Sequence, residues 1–353
     1  MQKTDLKYGA YVKILEEELK PAMGCTEPIA LAYAAAVARK VLGEIPEKVV
    51  IGASGSIIKN VKSVIVPNTN RLKGIPAAAA AGIIGGDPDK ELEVIASVTE
   101  EQIKGMRTFL DSAEIVVEHV DNGLTFDIIV TLYKGENYSK VRIVNYHTNI
   151  VLIEKNGEIL QEVEVQGESE EGLTDRSLLK MADIWDFINS GSGNQGITAS
   201  VPVIVYAREL GVSEDKMYRA LALSDLTTIH QKTPIGRLSA FCGAVSAGAG
   251  AGAGIAYLNG GDFDAVIHTV INAVAIVSGM VCDGAKASCA AKIAEAVDAG
   301  IIGYNMHIRG QNFEDGDGIV KAGIEDTILS VGRLAKEGMK ETNTEILSIM
   351  IEE

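Results

Sequence analysis

Leu6, Tyr8, Tyr11, Val12, Leu15 and Leu19 recur at helical spacing, which predicts an opening helix over residues 5–20, closed by Pro21. A second helix is predicted from Thr26-Glu27-Pro28 to about Leu42, with Cys25 at its mouth. From Lys48 the period changes. Val49-Val50-Ile51, Val64-Ile65-Val66, Val94-Ile95, Ile115-Val116-Val117, the alternation Phe126, Ile128, Val130, Leu132, then Val141, Ile143, Val144 and Val151-Leu152-Ile153 read as strands. Turn signals at Asn122-Gly123, Lys134-Gly135 and Asn156-Gly157 separate the later ones and imply an antiparallel sheet. Residues 74–86 and 100–110 read as helices set among these strands.

A charged, glycine-containing stretch at 166–172 ends the strand-rich region, and the chain from about Leu173 onward has helical spacing. The expected class is therefore α+β. A mainly helical bundle, built discontinuously from 1–45 and 172–353, carries the cysteine cluster, and an inserted antiparallel-sheet α+β lobe occupies 46–171. Ala244-Val-Ser-Ala-Gly-Ala-Gly-Ala-Gly-Ala-Gly-Ile255 allows very close helix packing at a cost in helix propensity, which predicts a buried helix.

Composition narrows the function. At 353 residues, 47% hydrophobic and 23% charged, the chain is long enough for a large core. A net charge of −16 without clustered Lys and Arg argues against nucleic acid and leaves a small molecule as the expected partner. The most apolar run, 265–281, is interrupted by His268 and Asn272 and flanked by Asp262, Asp264 and Asp283, so it reads as a buried core helix and not a membrane span. Residues 1–20 contain no apolar leader, and the expected location is the cytoplasm. Small-residue helices and an acidic surface suit a homodimer.

The chain has four cysteines, with Cys242, Cys282 and Cys289 in the helical part and Cys25 apart from them. In a reducing compartment they are not expected to form disulfides, and they lack the CxxC pairing of zinc ribbons. Three thiolates on an iron–sulfur cluster leave one iron without a protein ligand, whereas four would close it. Seven residues of continuous helix would separate the sulfurs of Cys282 and Cys289 by about 10 Å, so a shared site needs the break that Asp283-Gly284 offers. Spacing alone leaves plain core packing of the thiols as the simpler alternative.

Other candidates are weaker. Ser190-Gly-Ser-Gly-Asn-Gln-Gly196 contains GxGxxG, but a helical stripe and no strand precedes it, which rejects a dinucleotide site. It reads as a loop feeding a helix over about 197–210, with Ser192, Asn194 and Gln195 as donors to a carboxylate or phosphate, or as an interhelical turn. His230 is a candidate proton carrier and Lys232 a candidate carboxylate anchor, both also compatible with structural roles. Ser54, Ser56 and Asn68 sit at strand ends, where they line a pocket or form turns.

Met23-Gly-Cys-Thr-Glu-Pro-Ile-Ala30, Ser190-Gly-Ser-Gly-Asn-Gln-Gly-Ile197, Cys242 and Cys282-Asp-Gly-Ala-Lys-Ala-Ser-Cys289 together resemble the L-cysteine desulfidases, within the iron–sulfur serine dehydratase alpha-type proteins. The resemblance runs through essentially the whole chain. It implies a [4Fe–4S] cluster held by Cys242, Cys282 and Cys289, with one iron lacking a protein ligand. It also implies Cys25 as proton acceptor, and β-elimination of L-cysteine to pyruvate, ammonia and hydrogen sulfide without pyridoxal phosphate; Thr26, next to Cys25, is a further candidate substrate-binding residue. L-Serine dehydratase is the oxygen analogue, and a non-catalytic thiol or zinc sensor is the alternative of another class.

Overall fold

The computed structural model describes residues 6–18, 25–165, 174–185, 193–236 and 239–351. The chain begins with α1 (Leu6–Glu18), α2 (Thr26–Leu42), β1 (Lys48–Ala53), α3 (Gly55–Val61), α4 (Gly74–Gly85), a 3-10 turn and α5 (Glu100–Ser112). Five strands come next: β2 (Glu114–His119), β3 (Asp127–Lys134), β4 (Asn137–Val144), β5 (Ile150–Lys155) and β6 (Glu158–Glu162). The remainder is helical, with α6 (Met181–Trp185), α7 (Gly193–Glu209), α8 (Glu214–Ile235), α9 (Gly243–Leu258) and α10 (Phe263–Val277). It ends with α11 (Cys289–His307), α12 (Ile324–Arg333) and α13 (Lys340–Ile351). The α+β class, helices plus a sheet-bearing lobe, is thus what the chain adopts. Among the described residues no helix is long and apolar enough to cross a membrane.

Contacts divide the chain into two compact units. One comprises Met1–Lys20, Glu170–Cys282 and Ser288–Glu345; the other comprises Pro21–Ser169, Asp283–Ala287 and Ile346–Glu353. The boundary stretch 166–172 lies outside the described residues. Sequence pattern assigned 1–45 to the bundle, whereas the contacts group α2 with the sheet. The physical reason is local: Ser139 Oγ on β4 donates to Ala38 O on α2 at 2.7 Å, and Gly82 on α4 is packed onto the backbone of Ala32. Apolar periodicity shows that α2 has a buried face without saying what covers it.

The sheet has the order β2-β1-β3-β4-β5-β6. The later strands pair antiparallel as their turn signals imply, and one parallel pair makes the sheet as a whole mixed. β1 and β2 pair in parallel because α3, α4 and α5 form a crossover between them, while the other pairs are antiparallel. Asn156 and Gly157 both take positive φ (50° and 85°) in the β5–β6 turn, as an Asn-Gly hairpin requires. Val64–Val66 forms only an isolated bridge, Ile65 to Lys73, and Val94-Ile95 lies in a turn. These runs are apolar because they are mostly buried, not because they pair. β6 escaped the hydrophobic pattern because all five of its residues are exposed.

In the helical unit α9 packs against α7, α8, α10 and α11. Its glycines alternate with alanines, and alternation on a helix sends them to two sides. Gly248 and Gly252 meet Ala296 and Gly300 on α11, and Gly250 and Gly254 meet Ser224 and Ala220 on α8. A Cβ on Gly252 would lie 2.7 Å from Gly300 Cα. Gly252→Val is therefore expected to lower unfolding free energy by about 3 kcal/mol or more, read from urea denaturation against wild type.

Candidate functional site

Three thiols are positioned within the helical unit. Cys242 is the N-cap of α9 and Cys289 the first residue of α11, and neither helix start has a side-chain capping bond. Cys242 and Cys282 are linked through an isolated antiparallel bridge, Phe241 to Val281. Cys242 N donates to Met280 O at 3.1 Å and Cys282 N to Ala240 O at 2.6 Å. This register makes the two cysteines diagonal neighbours on one face of the bridge, about 7–8 Å apart at the backbone. After Cys282 the chain breaks as expected: Gly284 takes φ +89°, and Lys286 Nζ closes the turn on Asp283 O at 3.1 Å. Gly284 belongs to the sheet-bearing unit and packs onto the carbonyl of Lys59, leaving no room for a Cβ.

Cys242 is 8% exposed. Burial pushes its thiol above the ordinary value. The charges of Cys282 and Cys289 push the same way, against the Ala244 N–H and the Lys292 ammonium, which pull it down. Cys282 and Cys289 thus both lie near enough to act on the Cys242 thiol. Among the described residues no group of three or more His, Cys, Asp or Glu is arranged to hold a single metal ion. As a donor set, three thiols with a lysine and two uncapped helix N-termini match an anionic iron–sulfur cluster: thiolates are soft ligands, and the positive surroundings offset their charge.

Gln195 falls in the first turn of α7, and its amide packs directly on Gly243, next to Cys242. The helix begins at Gly193, so Asn194 also lies in its first turn and not in a loop; Ser192 lies outside the described residues. His230 Nε2 is 2.8 Å from Glu325 Oε2, and Met181 N donates to Glu325 Oε1 at 2.8 Å, so this histidine ties α8 to α12. Burial pushes the Glu325 carboxyl up, but bonds from His230 and Met181 outweigh it and hold the group below the ordinary range. Lys232 is partly buried in the last turn of α8.

Cys25 organises a second centre within the sheet-bearing unit. It is the N-cap of α2, and Pro28 fits in the first turn because an N–H there has no helical acceptor. Cys25 Sγ donates to Glu27 Oε2 at 3.0 Å, and Thr26 Oγ1 approaches the same oxygen at 3.4 Å. Asn60 Nδ2 on α3 donates to Glu27 Oε1 at 3.0 Å. His147 stands within electrostatic reach of this carboxylate, on the loop after β4, where Asn145 turns the chain with φ +66°. Burial pushes the Glu27 carboxyl up, but the charge of His147 and hydrogen bonds from Cys25, the Glu27 backbone and Asn60 prevail and hold it below the ordinary value.

A carboxyl depressed in the folded state stabilises fully above its unfolded value, here 4.5, and that contribution fades as pH falls through the lower folded value. Glu27→Gln is accordingly expected to shrink the acid-side loss of thermal stability below about pH 4.5, measured by melting temperature against pH.

Ser54 and Asn68 serve the scaffold. Ser54 Oγ donates to Thr125 O at 2.8 Å and accepts from Asp127 N at 3.4 Å. Asn68 Nδ2 bonds the carbonyls of Ile95 and Ala96 at 3.0 and 3.3 Å, pinning a loop in which Asn68, Asn70 and Arg71 all have positive φ. Ser56 is buried in the first turn of α3. Sequence reasoning missed Asn60 and His147 and read Glu27 as part of a helix start. The available signal was the polar pair Lys59-Asn60 inside the apolar run Ile57-Ile58-Val61, since a buried polar side chain needs a partner.

Residues 187–348 match the serine dehydratase alpha chain family. Along its length the chain is similar to a UPF0597 protein of Desulfitobacterium hafniense, at 48% identity covering 99% of this chain and 98% of that protein. It is also similar to UPF0597 proteins of Lachnoclostridium phytofermentans, at 43% identity (98% and 100% covered), and of Treponema denticola, at 41% (98% and 99% covered).

Proposed function

This chain belongs to the UPF0597 family, and from that premise and its serine dehydratase alpha chain segment we propose that it is a lyase acting on L-cysteine with a [4Fe–4S] cluster and no pyridoxal phosphate. The observation that carries the reading is the division of the cysteines. Cys282 and Cys289 both lie near enough to act on the Cys242 thiol, while Cys25 donates to the half-buried Glu27 carboxylate in a polar centre of its own. Cys242, Cys282 and Cys289 would hold the cluster, which when bound supplies Lewis acidity at an iron without a protein ligand.

The other roles fall to the chain's own residues. Cys25 Sγ, as the thiolate after releasing its proton to solvent, takes the Cα proton of L-cysteine. The Cα–H electrons form the Cα–Cβ double bond, and the sulfur leaves Cβ as hydrosulfide. The resulting aminoacrylate tautomerises and is hydrolysed by water to pyruvate and ammonia. In the thiol form Glu27 accepts from Sγ and fixes its direction; once the thiolate forms, that carboxylate opposes it and the start of α2 favours the negative charge. To Gln195, whose amide packs on Gly243, we assign a hydrogen bond to the substrate carboxylate.

L-Serine dehydration is the second reading, favoured by the family match over residues 187–348. Anaerobic reconstitution with iron and sulfide, then parallel assays of sulfide from L-cysteine and pyruvate from L-serine, separates the two. A larger kcat/KM for L-cysteine is expected; a larger value for L-serine would replace the proposed substrate. Stoichiometric zinc with no iron uptake would favour the thiol sensor instead.

A further inference from the structure

We propose that Asn60 Oδ1 and the Glu27 carboxylate form the subsite that receives the α-ammonium group of an amino acid ligand. The identity of that ligand rests on the lyase reading, but the subsite itself rests on geometry. Asn60 is 8% exposed, and its Oδ1 is buried without a hydrogen-bond partner among the described residues. The amide orientation is fixed: Nδ2 donates to Glu27 Oε1 at 3.0 Å, and the flipped amide would set its carbonyl against a carboxylate. An orphaned buried acceptor is costly, and a ligand that brings an N–H recovers the loss.

The chemistry around Oδ1 selects the donor. Glu27 already accepts from Cys25, Thr26, Asn60 and its own backbone N–H, about the four bonds an ionised carboxylate takes, so it supplies charge to the subsite and Asn60 Oδ1 supplies the open acceptor. An acceptor-only pair, a carboxylate beside a carbonyl, fits an ammonium and repels a carboxylate. Asn60 Oδ1 is the acceptor left without a donor, so it carries the discrimination through that need. An ammonium held there also sets Cα, one bond away, toward the neighbouring Cys25 Sγ.

The test is equilibrium binding to the full chain, loaded anaerobically, by calorimetry with L-alanine and propionate. These probes differ by the ammonium alone, and neither has a leaving group. Wild type is expected to bind L-alanine about tenfold or more tightly than propionate, as a hydrogen bond to a charged group allows. In Asn60→Leu, and in the smaller Asn60→Ser, that ratio is expected to fall toward one. Structural damage would move both Kd values alike and leave the ratio unchanged. Equal affinities in wild type, or an unchanged ratio in both variants, would overturn the subsite. An Asn60-dependent ratio in a protein that releases no sulfide would keep the subsite and remove the lyase reading; sulfide release with equal affinities would do the reverse.

Discussion

Replacing Cys25 with alanine is expected to lower kcat for L-cysteine by about 100- to 10,000-fold, the range a positioned proton acceptor contributes, while the iron–sulfur absorbance stays at its wild-type level. The structure supports the specificity of this loss. Cys25 caps α2 without a side-chain capping bond, so the helix start does not depend on its sulfur. Its thiol donates to Glu27, and that carboxylate retains Asn60, Thr26 and His147 when the sulfur is gone. Removing one such bond costs about 1 kcal/mol of stability, small enough for the variant to fold and be assayed. Because the missing step is proton removal, KM is expected to change much less than kcat. Steady-state kinetics beside an absorbance spectrum reads both. Cluster loss in Cys25→Ala would make this cysteine a fourth ligand.

Cys242→Ser, Cys282→Ser and Cys289→Ser are expected to give the opposite outcome, loss of bound iron together with activity. Outer partners of a metal site alone are worth about 10- to 100-fold in affinity, and a missing thiolate ligand costs more. The three variants differ in stability. Cys242 is 8% exposed, so a serine there buries a hydroxyl and is expected to cost about 1–3 kcal/mol unless it finds a partner. Cys289 opens α11 and is partly exposed, so Cys289→Ser is expected to melt near wild type. Iron and sulfide assays after anaerobic reconstitution, paired with thermal melts, test these outcomes. Full iron in any of the three would strike that residue from the ligand set.

The parts of this protein legible in its sequence are those written into one short segment. The Asp283-Gly284 break could be read because a positive-φ glycine after Cys282 is a local backbone requirement, and Cys289 then opens the next helix. The repeated Gly-Ala of α9 announced close packing for the same reason. What escaped were relations between distant segments. Asn60 and Glu27 are thirty-three positions apart and meet through the packing of α3 and α2, so neither identified the other. His147 acts on Glu27, 120 positions away in sequence, so no local pattern pointed to it. The parallel pairing of β1 and β2 was hidden because strand pattern gives burial and not direction. The grouping of α2 with the sheet comes from its packing on α4, β3 and β4, of which the buried bond from Ser139 to Ala38 is one part that no periodicity displays.

The division of the cysteines is tested most directly by Mössbauer spectroscopy of the anaerobically reconstituted full chain, with and without L-cysteine. Three protein thiolates and one open iron predict that one of the four iron sites changes its parameters when L-cysteine is added while the other three do not. Four equivalent sites, unmoved by L-cysteine, would contradict the account.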